Sequence, residues 1–194
     1  MRIRHLISIA TAAVVAAGCG GSSGGGGGGG SSGTLGQGAT CTPSTPTAFP
    51  DPACSVPLIC ASATSQCDFA VCPAGVNSTF AGVKTIFASC VRCHTPTPAA
   101  GTPCIGGPCG GLDLSTDPYA ALVGVAGNNF AGTVHPIQRV APGDSANSLL
   151  FRKLTTTTTT GAYGRGMPFP APGSVCPAAV TAVQAWIDAG ALNN

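Results

Sequence analysis

The stretch Cys90-Val91-Arg92-Cys93-His94 decides how the rest of this sequence is interpreted. Two cysteines three positions apart, followed directly by a histidine, have the Cys-x-x-Cys-His spacing that is typical of c-type haem attachment. Each thiol can form a thioether with one vinyl group of a single haem, and the neutral imidazole can coordinate the iron. A disulfide between Cys90 and Cys93, or one half of a zinc site, is an alternative that these five residues leave open.

The composition of the 194-residue chain limits the functions that it can have. Only 7% of the residues are charged, none is glutamate, and the chain holds 29 glycines and 17 prolines, which predicts long irregular stretches around a modest core. Once Arg2 and Arg4 are set aside with the N-terminal segment, the basic residues equal the aspartates in number. We therefore expect no nucleic-acid partner. Eleven cysteines favour an oxidising compartment.

Residues 1–18 have the pattern of an export signal. A short basic head precedes an apolar run over residues 6–17 that is too short to span a bilayer as a permanent helix. The small residues before Cys19 resemble a bacterial lipobox, which predicts that Cys19 is the lipidated first residue of the mature protein. Ala16 stands where the lipobox usually has leucine, so ordinary cleavage that leaves Cys19 as a spare thiol is the alternative.

Residues 19–40 are mostly glycine and serine after Cys19, and they predict a flexible linker between a membrane anchor and the folded part. About twenty such residues have a root-mean-square span on the order of 25 Å. Several acyl chains on Cys19 would hold the protein on a membrane, where a single chain is marginal. Gly20 stands where an aspartate in lipoproteins suggests retention at the inner membrane. We therefore expect a protein of the cell envelope, anchored in the outer membrane and facing the periplasm or the cell surface.

Residues 41–76 are rich in cysteine and proline and show no helical period, so we expect a small disulfide-stapled segment. If Cys19, Cys90 and Cys93 are set aside, an even number of cysteines remains, which suits four disulfides. These are Cys41, Cys54, Cys60, Cys67, Cys72, Cys104, Cys109 and Cys176. The segment holds no histidine, which makes metal binding the less favoured alternative, and no residue pattern in it names a ligand.

Residues 77–194 carry the helical patterns of the predicted haem domain. An amphipathic helix over residues 80–89, with N-cap candidates just before it, leads directly into Cys90. Further helices are expected to begin near Pro118, Ser145 and Pro177. Between the helix over residues 80–89 and the helix that begins near Pro118, Cys104 and Cys109 predict a disulfide that closes a loop rich in proline and glycine. Cys176 precedes the last helix and can join it to an earlier loop.

Met167 is the only methionine after Met1, and it lies in the stretch Gly164-Arg165-Gly166-Met167-Pro168. Pro168 favours extended geometry at Met167, and the glycines let the backbone approach a flat cofactor. A thioether is a soft axial ligand for haem iron, so we predict Met167 as the sixth ligand. Met167 can instead fill a gap in a loop, and His135 is the competing ligand in the mature chain.

The order of these features resembles a cytochrome c-type domain, and most closely the planctomycete-type cytochrome c-like domains. In that family the haem motif is followed by Gly-Gly-Leu-x-Leu, Pro-Gly-Asp with Ser-x-Leu, Met-Pro, and Trp-Ile-x-x-Gly-Ala. The corresponding stretches here are 110–114, 142–150, 167–168 and 186–191. The resemblance covers residues 80–194, although Phe169 stands where the family often has a second proline. It implies an all-α, class I cytochrome c-like fold with long loops, preceded by the small disulfide-rich segment.

The function expected from these features is that of a monohaem c-type cytochrome lipoprotein that passes single electrons to redox partner proteins. Cys90 and Cys93 would hold one haem c covalently, with His94 and Met167 as axial ligands and no catalysis, because both axial positions are filled. One alternative is a cell-surface lipoprotein whose cysteine-rich module binds a partner while the haem domain is structural or sensing. Another has no haem and a Cys90–Cys93 disulfide.

Overall fold

The structure is a computed structural model that describes residues 36–41, 54, 58–61, 65–98, 104, 107–128, 134–158, 160 and 162–194. The predicted signal peptide and Cys19 lie outside these residues, as do the side chains of residues 60 and 134–136. Within the described ranges, no helix is both long and apolar enough to cross a membrane.

Along the described chain, two pairs of strands are each followed by helices and a 3-10 turn. Two short strands come first, and the longest helix comes last. The elements are β1 (Ile59–Ala61), β2 (Gln66–Asp68), α1 (Phe80–Phe87), a 3-10 turn (Cys109–Gly111), α2 (Pro118–Leu122), β3 (Ala126–Asn128), β4 (Val134–Gln138), a second 3-10 turn (Ser145–Asn147), α3 (Leu149–Thr155) and α4 (Pro177–Asp188).

The expectation of an all-α, class I cytochrome c-like fold is wrong. Strands β1 and β2 form one antiparallel sheet, in which residue 60 pairs with Cys67, and β3 and β4 form a second one with a register irregularity. These strands have three to five residues. Strands this short, with glycine or proline inside β3 and β4, carry no alternating apolar pattern from which they could be predicted. The fold therefore mixes helices with two small antiparallel sheets.

Helix α1 begins at Phe80 as its sequence predicts and ends at Phe87, two residues before the predicted end. The Thr79 hydroxyl accepts a hydrogen bond from Gly82 N at 3.1 Å and so caps the first turn. The apolar face of α1 is buried, with Val83 fully inside and Ile86 nearly so. Just past the helix, Cys90 N donates to Phe87 O at 2.8 Å, so the turn that carries the cysteines continues directly from α1.

The main core lies between α1 and α4, which pack against each other. The Phe80 ring lies 5.5 Å from the Trp186 ring and meets the Tyr119 ring edge-on at 5.1 Å between centroids, a favoured arrangement for aromatic pairs. Trp186 is buried, and its indole N–H donates to Leu192 O at 2.9 Å. The Trp186 side chain therefore packs against α1 and also fixes the residues that follow α4.

The stretch before α1 is joined to the start of α4. Val71 N donates to Ser174 O at 3.1 Å, and Cys176 N donates to Val71 O at 2.9 Å. A disulfide connects Cys72 with Cys176, as expected for a staple from α4 to an earlier loop. Val71 is buried in the main core, although it precedes the predicted domain boundary at residue 77.

Candidate haem site

Cys90 carries a free thiol within the turn that follows α1. Its sulfur lies 3.7 Å from Ile86 O and 4.0 Å from the Ser89 hydroxyl. Burial raises the pKa of the Cys90 thiol to about 11, and the contact with Ser89 opposes this only in part. The thiol is therefore protonated near neutral pH, and its side chain packs at the edge of the main core.

Cys93 is buried and disulfide-bonded, whereas Cys90 is free. The structure therefore does not contain the Cys90–Cys93 disulfide that was one alternative for this motif. The backbone of the motif is tightly turned, because both Cys93 N and His94 N donate to Cys90 O, at 3.1 and 2.9 Å. A thioether at Cys93 requires that its present disulfide first be opened.

The His94 imidazole is held by main-chain contacts. Its Nδ1 lies 3.1 Å from Cys109 O, and since a carbonyl oxygen only accepts hydrogen bonds, Nδ1 carries the proton. The His94 carbonyl in turn accepts a hydrogen bond from Leu114 N at 2.8 Å. This tautomer leaves the lone pair of Nε2 available, which is the usual arrangement of a metal-binding histidine whose other nitrogen donates to a carbonyl.

Burial and two cations keep the His94 ring neutral. Desolvation is the largest cause that lowers the pKa of His94, and the charges of Arg139 and Lys153 lower it further. The carbonyls of Cys109 and Leu112 act in the opposite direction. A neutral imidazole is the form that coordinates iron, so the electrostatic surroundings of His94 suit a ligand.

Arg139 is buried and connects α2 to the turn that binds the His94 imidazole. Its guanidinium donates to Gly111 O at 3.0 Å and to Ala121 O at 2.8 Å. Gly111 belongs to the turn that contains Cys109, so Arg139 restrains the segment that holds the imidazole. An arginine that binds main-chain carbonyls has no motif around it, so the sequence alone does not reveal this residue.

Met167 lies in a loop that is bound to α3. Its N–H donates to Lys153 O at 2.7 Å, and its carbonyl accepts from Gly173 N at 3.1 Å. Gly166 must be glycine, because a Cβ there would collide with Thr156 O. The Met167 side chain is half-buried and packs against the main core, as Cys90 also does.

The four predicted haem-binding residues are in different states in the structure. Cys90 is a free thiol, His94 presents Nε2, and Met167 packs on the same core as Cys90, whereas Cys93 is disulfide-bonded. The competing ligand His135 lies in β4, and its side chain is outside the described residues. The donor set fits haem once Cys93 is reduced.

A second group of cysteine sulfurs lies in the small core beside the hairpin of β1 and β2. The sulfurs of Cys41, Cys54 and Cys67 are all within 4.8 Å of one another. Cys54 and Cys67 form a disulfide, and Cys41 is also disulfide-bonded. This group is therefore a disulfide core, as expected for residues 41–76.

Comparison of the chain with protein-family models, with curated proteins and with solved structures gives no match. The functional assignment therefore depends on the chemistry of residues 90–94 and on the groups that surround them.

Proposed function

We propose that this chain is a monohaem c-type cytochrome, anchored by lipid at Cys19, that carries single electrons in the bacterial envelope. The observation that carries the proposal is the state of His94. It follows the two cysteines directly, and its Nδ1 donates to Cys109 O, so that Nε2 is the unprotonated nitrogen that a metal ligand requires. One covalently bound haem c and the axial pair His94 and Met167 complete the proposed site.

Covalent attachment makes different demands on the two cysteines. The Cys90 thiol is already free, and its S–H can add across one vinyl double bond, with the hydrogen going to the neighbouring carbon. The Cys93 disulfide first needs two electrons and two protons from a dithiol reductant of the envelope, which leaves thiols in its place. The Cys93 thiol can then add across the second vinyl group in the same way.

Haem supplies a reversible one-electron couple, and the surrounding residues of this chain set its potential. A methionine ligand at Met167 raises the potential relative to a second histidine. The positive charges of Arg139 and Lys153 near His94 also favour the reduced form, because the added electron is attracted to them. If His94 and Met167 both bind the iron, no position would be left for a substrate, so electron transfer to partner proteins rather than catalysis is the proposed role.

The proposal is tested by expressing the full chain together with a c-type maturation system and staining a denaturing gel for haem. We expect a haem-stained band and a mass increase equal to one haem per chain. Cys90→Ser and Cys93→Ser together should abolish both signals. The matched control is Cys54→Ser with Cys67→Ser, which also removes two cysteines but leaves the motif intact. Absence of covalent haem from the unmodified chain would reject the proposed function.

A further inference from the structure

We infer that the disulfide Cys104–Cys109 positions the His94 imidazole by fixing the main-chain carbonyl of Cys109. Cys109 is then a positioning residue that acts on the iron through His94. The inference rests on the proposed function, because it concerns the histidine side of the same site. It assigns a role to a pair of cysteines that lies outside the haem motif.

Cys109 contacts the haem motif at two points of its own main chain. Its carbonyl lies 3.1 Å from His94 Nδ1, and its N–H donates to Cys93 O at 3.2 Å. The position of Cys109 therefore determines where the Nδ1 proton points and how the imidazole plane is turned. A displacement of this one residue would change both contacts together.

The turn that contains Cys109 is not rigid by its own sequence. The two residues after it, Gly110 and Gly111, have φ values of 62° and 66°, in the left-handed region that glycine readily adopts. Two consecutive glycines give the backbone more freedom than any other pair of residues, so restraint has to come from outside the turn.

Two contacts supply that restraint. The disulfide connects Cys109 to Cys104, five residues earlier, and closes a short ring on one side of the turn. On the other side, Arg139 donates to Gly111 O at 3.0 Å. Of the two, the disulfide acts directly on the residue whose carbonyl binds His94.

The chemical consequence follows from the hydrogen bond at Nδ1. Donation from Nδ1–H to a carbonyl increases the electron density that the imidazole gives to a metal and holds the ring in one orientation. If the Cys109 carbonyl moves, the hydrogen bond lengthens and the ring samples several orientations. A weaker electron donor stabilises the ferric iron less, so the reduction potential should rise.

The alternative role of the Cys104–Cys109 disulfide is to stabilise its loop without affecting the His94 ligand.

The experiment compares two double variants. The first combines Cys104→Ser and Cys109→Ser. The control combines Cys54→Ser and Cys67→Ser, which removes a disulfide from the hairpin region. Both are made in the full chain and loaded with haem. The readouts are solvent exchange of the His94 Nδ1 proton by NMR, the width of the ferric EPR signals and the reduction potential.

In the first variant we expect several-fold faster exchange of the Nδ1 proton, broader EPR signals and a raised reduction potential, and in the control we expect none of these three changes. Unchanged values in a haem-loaded first variant would overturn the inference and leave the proposed function standing. Lack of haem in the unmodified chain would instead reject the proposed function.

If the first variant does not acquire haem, the same bond is opened in the assembled unmodified protein by reduction and alkylation. Mass spectrometry identifies the preparation in which Cys104 and Cys109 are alkylated. Faster Nδ1 exchange, broader EPR signals and a raised reduction potential in that preparation support the inference, and the absence of these changes overturns it.

Discussion

Lys153 holds the loop of Met167 through two different groups. Its main-chain carbonyl accepts a hydrogen bond from Met167 N at 2.7 Å, and its ammonium group donates to Arg165 O at 2.8 Å. Burial lowers the pKa of Lys153, and its charge is close enough to His94 to lower the pKa of that imidazole. One residue of α3 therefore connects the loop of the proposed sixth ligand with the surroundings of the fifth.

Replacing Lys153 by methionine should lower the reduction potential of the haem-loaded protein. The substitution removes a positive charge that favours the reduced form, and it releases Arg165 O, which loosens the loop. The measurement is potentiometric titration of the full chain. Lys84→Met is the matched control, because Lys84 is an exposed lysine of α1 and its loss makes the same change in net charge. Equal potentials for the two variants would contradict the prediction.

Met167→Leu should remove the weak charge-transfer band at the red end of the ferric visible spectrum that is characteristic of methionine ligation. It should also lower the potential, because a thioether ligand stabilises ferrous iron. His135→Ala serves as the comparison, since His135 is the competing ligand, and we expect its spectrum to match that of the unmodified protein. A band that survives in Met167→Leu and vanishes in His135→Ala would reverse the assignment.

Removing the Cys72–Cys176 disulfide should destabilise the fold more than removing Cys104–Cys109. The first bond spans 104 residues and the second spans 5. A disulfide that closes a longer loop restricts the unfolded chain more. Its removal should therefore lower the free energy of unfolding by about 4.7 kcal/mol for the first bond and by about 2 kcal/mol for the second. Denaturant unfolding of the two double serine variants measures both losses, and a larger loss for the short loop would be inconsistent with this explanation.

Gly82→Ala should destabilise α1, although alanine is the better helix former by about 1 kcal/mol. A Cβ at position 82 would lie 2.7 Å from Asn77 N and would also collide with the Asn77 side chain. That side chain accepts hydrogen bonds from both Thr79 N and the Thr79 hydroxyl, so the collision disturbs the helix cap. The unfolding midpoint should fall in Gly82→Ala, and a rise would show that the cap adapts without loss.

The sequence predicts where α1, α2 and α4 begin, because the signals are local, whereas the helix expected from Ser145 is a 3-10 turn and α3 begins only at Leu149. Thr79, the apolar face of α1 and Pro177 at the start of α4 were each predicted from a few neighbouring residues, and the structure has them in place. The strands were not predictable in this way. Their partners are chosen by contacts between distant residues, such as the Cys54–Cys67 disulfide at the hairpin and the buried Arg139 beside β4.

In the candidate site too, local patterns can be predicted from the sequence, whereas contacts between distant residues cannot. The spacing of Cys90, Cys93 and His94 is a chemical pattern that is visible in one line of sequence. The partner of His94 Nδ1 is a main-chain carbonyl, which every residue possesses, so no residue type marks it. The disulfide of Cys93 depends on where the chain brings another sulfur, which the spacing of the motif does not determine.

If the chain is exported as proposed, the Cys72–Cys176 disulfide also has a consequence for the order of events during export. A chain that crosses a membrane with its N-terminus first presents Cys72 well before Cys176 emerges, since 104 residues separate them. The pairing of Val71 with the residues before α4 must wait for the same moment. Until then α4 cannot complete the core on whose edge Cys90 packs, so under the proposed function this interval would leave both cysteines of the motif open to haem attachment.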